Sequence, residues 1–303
     1  MQQRSNVPVS VRTVGAALGV VTLAALTACG GGGGNSSPAT VSSMSVAATK
    51  YGVLALVTVT GTNLSNLALV APGCKNINKL TAAPTASTDT TAYYSCTPSG
   101  TYSSNITAVS NGTTLSTQPL VVPAPIVTMT VSGSGINGNI VFNLKGNAAP
   151  ITVDNFLAYV NSGFYNGLIF HRVVSGFIVQ GGGYGPATSG TLPTPKTTNF
   201  NPIALETTGG SNLQWTAAMA RTSDDNSATS QFFFNLVDNS GTLDPSSKTD
   251  GYAVFADVTA SASVIQAIAA APCTLLLNNG SPYGDGSCVP IPNVVITTAT
   301  QTQ

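Results

Sequence analysis

The stretch Phe170-His171-Arg172-Val173-Val174-Ser175-Gly176-Phe177-Ile178-Val179-Gln180-Gly181-Gly182 sets an arginine and a glutamine among apolar residues. Read as two strands, 170–174 and 178–180, its period of two puts Arg172 on the face opposite His171. The same alternation puts Gln180 on the face of Ile178. A second stretch pairs the same residue types: Met219-Ala220-Arg221, then Ser230-Gln231-Phe232-Phe233-Phe234-Asn235. The three phenylalanines alternate between faces, so at least one belongs to ordinary core. His171 is the only histidine, which excludes a multi-histidine metal site. Gly181-Gly182-Gly183-Tyr184-Gly185 has the wrong spacing for a dinucleotide loop, and no P-loop lysine follows. Asp224 and Asp225 read as a solvated loop, with calcium as the competing use.

Ten Lys+Arg and ten Asp+Glu in 303 residues make the chain 7% charged, against ~25% in an average soluble protein. A nucleic-acid partner requires a basic stripe that this balance cannot supply. Coiled coils and charge-rich disordered chains are excluded on the same ground. With 43% hydrophobic residues and 31 glycines, the chain reads as a folded, β-rich, secreted protein. Only four arginines occur, Arg4, Arg12, Arg172 and Arg221, so each is informative.

The first two precede Val14–Ala28, an uncharged, mostly apolar run of 15 residues. A membrane-spanning helix requires about 20, whereas a basic segment followed by a short apolar one describes a secretory signal peptide. Leu26-Thr27-Ala28-Cys29 resembles the bacterial lipoprotein box. That resemblance implies cleavage after residue 28, lipidation of Cys29 and a membrane partner reached through the anchor. Gly30 in the next position implies sorting to the outer membrane, on its periplasmic face. Residues 29–39 read as a flexible Gly/Ser tether. Loss of Arg4 and Arg12 leaves eight basic against ten acidic residues, with no electrostatic pull towards anionic lipid. Four cysteines remain beyond Cys29: Cys74, Cys96, Cys273 and Cys288. Three connectivities are open; the local pairs, 22 and 15 residues apart, are favoured. An exported chain keeps such bonds, each contributing roughly 3 kcal/mol in the chain-entropy view.

The elements that must position these residues follow from pattern. Between 40 and 122 no helical period occurs. Strands are predicted at 53–60, 66–70, 91–96, 106–110 and 116–122, spaced by Gly, Pro and Asn, which suits an immunoglobulin-like β-sandwich. Pro119, Pro123 and Pro125 give a semi-rigid joint, centred on 123–126. Beyond it, 128–131 and 139–144 read as strands joined through Gly133-Ser134-Gly135 and Gly138. Pro150 fits a first helical turn. Val153, Phe156, Leu157 and Val160 recur on one helical face, with Gly163 just past the end. A second helix is predicted at 262–270, with Ser261 as N-cap and Pro272 as stop, and a last strand at 294–298. Many strands and two helices suggest a β-barrel capped at its ends.

The chemistry-bearing stretches resemble the cyclophilin family of peptidyl-prolyl cis-trans isomerases, whose pattern is F-H-R-x-x-x-G-F-x-x-Q-G-G, then M-A, S-Q-F-F and V-F-G. Tyr252-Ala253-Val254-Phe255 supplies the last element, with Ala256 in place of Gly. Met219–Thr222, Ser227–Phe233 and Asn161–Tyr165 are similar to stretches of the periplasmic bacterial branch. The resemblance spans about 127–298 and implies an eight-stranded barrel with two helices, acting on proline-containing polypeptides without metal or cofactor. Rotation about X–Pro must break amide resonance, a barrier of roughly 18–20 kcal/mol. It needs an apolar cup for the ring and a donor that favours the twisted nitrogen. By the resemblance, Arg172 is that donor, Gln180 orients it, and Phe177, Ile178, Phe233 and Leu243 form the cup. Ala220, Arg221 and Gln231 line the adjoining groove, with Tyr252 beside it. Ile178 stands where Met is common. His171 has no catalytic part in the family and is expected to be structural. Thr242 departs from the pattern, which carries Trp or Phe there, and this implies weaker cyclosporin-like inhibition.

Together these readings predict a mostly β chain: signal peptide 1–28, tether 29–39, sandwich 40–122, joint 123–126 and isomerase 127–303. Its expected role is folding assistance in the bacterial envelope. The competing readings are a non-catalytic proline-binding module and, for the N-terminal part, an adhesin or glycan binder.

Overall fold

The computed structural model describes residues 37–303 apart from 48, 100–102, 187–192, 276, 279–280 and 283–285. The signal peptide, Cys29 and most of the tether therefore lie outside the described residues. Residues 38–303 form one compact unit. Seven strands come first: β1 (Thr40–Val46), β2 (Ala55–Thr62), β3 (Ala68–Val70), β4 (Cys74–Lys79), β5 (Thr91–Pro98), β6 (Ser103–Ser110) and β7 (Thr113–Val121). They make two antiparallel sheets, ordered β1-β2-β5-β4 and β3-β6-β7. Strict alternation of buried and half-exposed positions along β5 leaves each sheet one apolar face. Val57, Val59, Tyr94 and Cys96 from one sheet and Leu69, Ile106, Ala108 and Leu120 from the other are all buried in the same core. Cys74 and Cys96 form a disulfide with Cα atoms 5.3 Å apart. Pro119 falls inside β7 rather than in a joint; β7 is an edge strand, where a missing donor is tolerated.

The remaining strands are β8 (Ile126–Gly133), β9 (Ile136–Leu144), β10 (Phe170–Val174), β11 (Ile178–Gly181), β12 (Thr216–Met219), β13 (Phe232–Asn235), β14 (Val254–Asp257), β15 (Cys273–Leu275), β16 (Leu277–Asn278), β17 (Ser281–Pro282), β18 (Cys288–Pro290) and β19 (Val295–Gln301). All but the small β16–β17 pair join one antiparallel sheet, ordered β15-β18-β10-β11-β13-β12-β14-β9-β8-β19. Cys273 and Cys288 are joined, Cα atoms 5.6 Å apart, so both local pairings occur. Three helices accompany the sheet: α1 (Pro150–Asn161), the one-turn α2 (Ser240–Leu243) and α3 (Ala262–Ala269). None is long and apolar enough to cross a membrane.

β12 and β13 are buried along their whole length because each face of the sheet meets its own apolar cluster. Phe142, Phe156, Phe232, Phe234 and Phe255 fill the main core, with Phe142 and Phe156 centroids 5.1 Å apart. Val174, Ile178, Ala218, Phe233, Leu243 and Val254 form a second, smaller cluster on the other face. α1 starts at Pro150 as expected, but Ala149 offers no side-chain cap. Glu206 takes that place, accepting from Ile151 N at 3.2 Å and from Thr152 N and Oγ1 at 2.6 and 2.7 Å. A carboxylate there also suits the positive end of the helix dipole. Gly163 adopts φ +69° just beyond the C-cap. Ser261 stands at the N-cap of α3 as expected but makes no side-chain capping bond; its Oγ accepts from Val141 N at 2.8 Å, tying the helix entrance to β9. One expectation is corrected. Gly138 is not in the turn but within β9, where an added Cβ would fall 2.9 Å from Val264 Cγ2.

Candidate active site

β10, β11 and β13 are neighbours in the sheet. The pairings Arg172↔Gln180 and Gln180↔Phe233 set three residues from distant parts of the chain side by side. Arg172 Nη1 donates to Gln180 Oε1 at 3.1 Å. Gln180 Nε2 in turn donates to Gln231 Oε1 at 2.9 Å. Gln180 thus spends its amide oxygen on Arg172 and its nitrogen on Gln231, which fixes how that amide faces. Gly183 makes room for this chain, since an added Cβ would fall 2.5 Å from Gln231 Cγ.

Beside the polar chain lies a cleft of about 240 Å³. Its apolar wall is built from Phe177, Ile178, Phe233 and Leu243, closed at one side by Tyr252. Phe233 and Tyr252 meet edge to face, with centroids 5.6 Å apart. Ala220 and Arg221 form the rim, and Arg172 and Gln180 supply its polar edge. The fold therefore gathers nine of the ten residues singled out in sequence around one space. Gln231, the tenth, stands behind Gln180.

Phe177 and Leu243 come from loop and one-turn helix, and buried asparagines hold them. Asn239 Nδ2 donates to Phe177 O at 3.0 Å and to Asn235 Oδ1 at 2.8 Å. Asn235 Nδ2 passes the chain on to Asn212 Oδ1 at 3.2 Å, and Asn212 Nδ2 donates to Leu243 O at 3.1 Å. None of these amides was singled out in sequence. Only Asn235, directly after the triple Phe, sat next to a signal that could have drawn attention to it.

Arg221 turns its guanidinium onto the wall. Nε donates to Gly251 O at 2.9 Å, Nη1 to Thr222 O at 3.0 Å, and Nη2 to Thr249 Oγ1 at 3.3 Å. It lies 4.8 Å from the Tyr252 ring centroid and 3.0 Å from Asp225 Oδ1. A hydrogen bond with Asp250 holds the Asp225 carboxyl above its ordinary range, against the pull of Arg221. His171 does not line the cleft. Its ring packs on Tyr184 with centroids 4.4 Å apart, and burial lowers its pKa to about 4, so it is neutral at pH 7. Among the described residues no group of three or more His, Cys, Asp or Glu is placed to hold a metal ion.

The family model for cyclophilin type peptidyl-prolyl cis-trans isomerase/CLD matches residues 126–301. Peptidyl-prolyl cis-trans isomerase cyp18 of Streptomyces antibioticus is 45% identical over 166 residues, covering 54% of this chain and 92% of the relative. Peptidyl-prolyl cis-trans isomerase A of Dickeya dadantii is 43% identical over 155 residues, 51% of this chain and 76% of that protein. Peptidyl-prolyl cis-trans isomerase B of Escherichia coli is 44% identical over 135 residues, 44% and 79% of the two lengths. The chain belongs to the cyclophilin-type peptidyl-prolyl cis-trans isomerases. The matched span starts with β8, so the seven strands before it lie outside the match.

Proposed function

We propose that X–Pro isomerisation takes place in this cleft, with Arg172 as the catalytic donor. The observation that carries the reading is the Arg172–Gln180–Gln231 chain beside the apolar wall of the cleft. The ring of the substrate proline enters between Phe177, Ile178, Phe233 and Leu243, while Tyr252 and Ala220 bound the groove that takes the flanking backbone. As the amide twists, resonance is lost and the nitrogen becomes pyramidal with an available lone pair. A guanidinium that cannot lose its proton, fixed beside an apolar wall, stabilises that geometry more than the planar ground state. Only this difference accelerates the reaction, at about 1.36 kcal/mol per tenfold. Gln180 keeps Arg172 aimed, Gln231 keeps Gln180 from flipping, and Arg221 holds Tyr252 against Phe233. The test is a protease-coupled isomerisation assay on the intact chain beside Arg172→Ala, with a fall of roughly a hundredfold expected, or ~2.7 kcal/mol. Equal rates for the two proteins would overturn the role of Arg172. A wild type that binds proline peptides without accelerating exchange would identify a binding module instead.

The seven N-terminal strands, residues 40–122, are read as an immunoglobulin-like sandwich. Two facing sheets sharing one core support that. Residues 123–126 then join it to the isomerase part at 127–303. There the eight strands β10-β11-β13-β12-β14-β9-β8-β19 are read as a closed barrel, supported by the bridge Ile169↔Val295 that returns β19 to the entrance of β10. The basic start, the apolar run and Cys29 support a lipid-anchored protein of the bacterial envelope, at the periplasmic face of the outer membrane. Its clients would be exported polypeptides that carry proline. Metabolic labelling with a radioactive fatty acid should mark the protein and fail to mark Cys29→Ala.

A further inference from the structure

Two of the contacts that hold Arg172 come from different directions. Gln180 holds Nη1 from the neighbouring strand, eight residues away in sequence. The second grip comes from 115 residues downstream, where Ser287 Oγ accepts the Nε–H at 2.9 Å. Ser287 is 1% exposed. It stands immediately before Cys288, the first residue of β18. That strand touches β10 through the pair Val173↔Cys288, one residue from Arg172. Its other neighbour is β15, paired from Cys273↔Pro290 to Leu275↔Cys288, and the Cys273–Cys288 disulfide crosses the same two strands. β15 and β18 have three residues each and form the end of the sheet. Short terminal strands open locally at little free-energy cost unless something ties them down.

Each bond on a different edge of a guanidinium narrows how far it can swing about its last side-chain torsions. A second bond at Nε, on another edge of the fork, removes that freedom and fixes the plane in which the donors point. We propose that Ser287 is a positioning residue for Arg172, with the Cys273–Cys288 disulfide as the tie that keeps its hydroxyl in place. The proposal rests on the reading of Arg172 as catalytic donor, and it adds to that reading a second holder outside the Arg–Gln–Gln chain. Ser287 acts through Arg172 and is assigned no contact with substrate.

Exchange NMR on an Ala-Pro peptide with the intact chain gives the on-enzyme interconversion rate and KM separately. Ser287→Ala should slow interconversion roughly tenfold while KM and the thermal midpoint stay close to wild type. Ser287→Thr, which restores a hydroxyl, should recover most of the rate. Cys273→Ala/Cys288→Ala should slow interconversion to a similar degree, and adding Ser287→Ala to it should cost little more, since both act on one contact. Wild-type turnover in Ser287→Ala beside an inactive Arg172→Ala would overturn the proposal alone. Full activity of Arg172→Ala would overturn the catalytic reading beneath it. Failure of Ser287→Thr to recover, or a rate loss that follows the thermal midpoint, would make Ser287 structural and overturn the proposal. Wild-type turnover in the double cysteine variant would remove the disulfide from it.

Discussion

Phe232 and Phe233 are adjacent in sequence, and the sheet between two apolar clusters assigns them opposite duties. Phe232 is fully buried and touches five rings: Phe142 at 5.6 Å, Phe156 at 5.9 Å, Tyr165 at 5.6 Å, Phe170 at 6.4 Å and Phe234 at 5.5 Å between centroids. Among the described residues Phe233 meets one ring, Tyr252, and it borders an open cleft. Truncating a core Phe to Ala costs about 3–5 kcal/mol, more where the surroundings cannot collapse. The closed aromatic cage around Phe232 places Phe232→Ala at the upper end, about 5 kcal/mol. Phe233→Ala leaves a hollow that water can enter from the cleft, which places it near about 3 kcal/mol. Function should divide the other way. Phe233→Ala removes the face on which the proline ring rests and should lower kcat/KM at least about tenfold, or ~1.4 kcal/mol of transition-state binding. Phe232→Ala, assayed at low temperature where it stays folded, should retain kcat/KM within about threefold. Phe232→Leu keeps more volume and serves if the alanine variant does not fold. Denaturant midpoints at constant m-value give the stabilities, and the protease-coupled assay gives the rates. If Phe233→Ala is the less stable of the two, or both lose activity equally, the two-faced account of β13 is wrong.

Three further outcomes follow from the same contacts. Gln180→Leu strips Arg172 of its Nη1 partner and Gln231 of its donor, so kcat/KM should fall roughly ten- to a hundredfold, the equivalent of one hydrogen bond to a charged group; a rate within twofold of wild type would contradict the relay. Lys75→Ala breaks the ion pair with Asp154 at 2.7 Å, but the side chains are 56% and 27% exposed. Its stability cost should therefore stay below about 1 kcal/mol and shrink in high salt, and a larger loss in urea melts would show that the pair matters more than its exposure allows. His171 is held near pKa 4 in the fold by burial, against about 6.5 in the unfolded chain, so the unfolded state takes up the proton first. Its contribution is complete above about pH 6.5 and is lost as pH falls towards 4, on the order of 3 kcal/mol; in paired urea melts, His171→Gln should show a shallower decline through that window.

Much of the site was legible because its residues sit in short runs whose order survives folding. Phe170–Val174 is β10 from end to end; a register shift between Phe170 and Arg172 interrupts its alternation at His171, which no period of two foretells, whereas from Arg172 to Val174 the alternation holds. The opposite duties of the three phenylalanines were legible for the same reason. What escaped reading was either polar or distant. β1 (TVSSMSV) and β4 (CKNINK) carry too few apolar residues to announce themselves. They are strands because neighbours pair with them. α2 is a single turn inside a Gly-Thr segment, where propensity argues for a loop. Glu206, Ser287 and the Asn212–Asn235–Asn239 chain serve partners that are 55, 115 and 23 residues away in the contacts described, and no local pattern records such a partnership.

The antiparallel pairing of β8 with β19 brings Thr128 beside Thr302, 174 positions later in the chain. In vectorial synthesis β8 therefore finds β9 on one side at once, and waits with its other edge bare until β19 has been made. An exposed strand edge recruits other chains, and such long-range closure is slow to form. A protein whose family turns proline bonds in other polypeptides thus carries, while it is being made, an open edge that invites the wrong partner until β19 pairs with it.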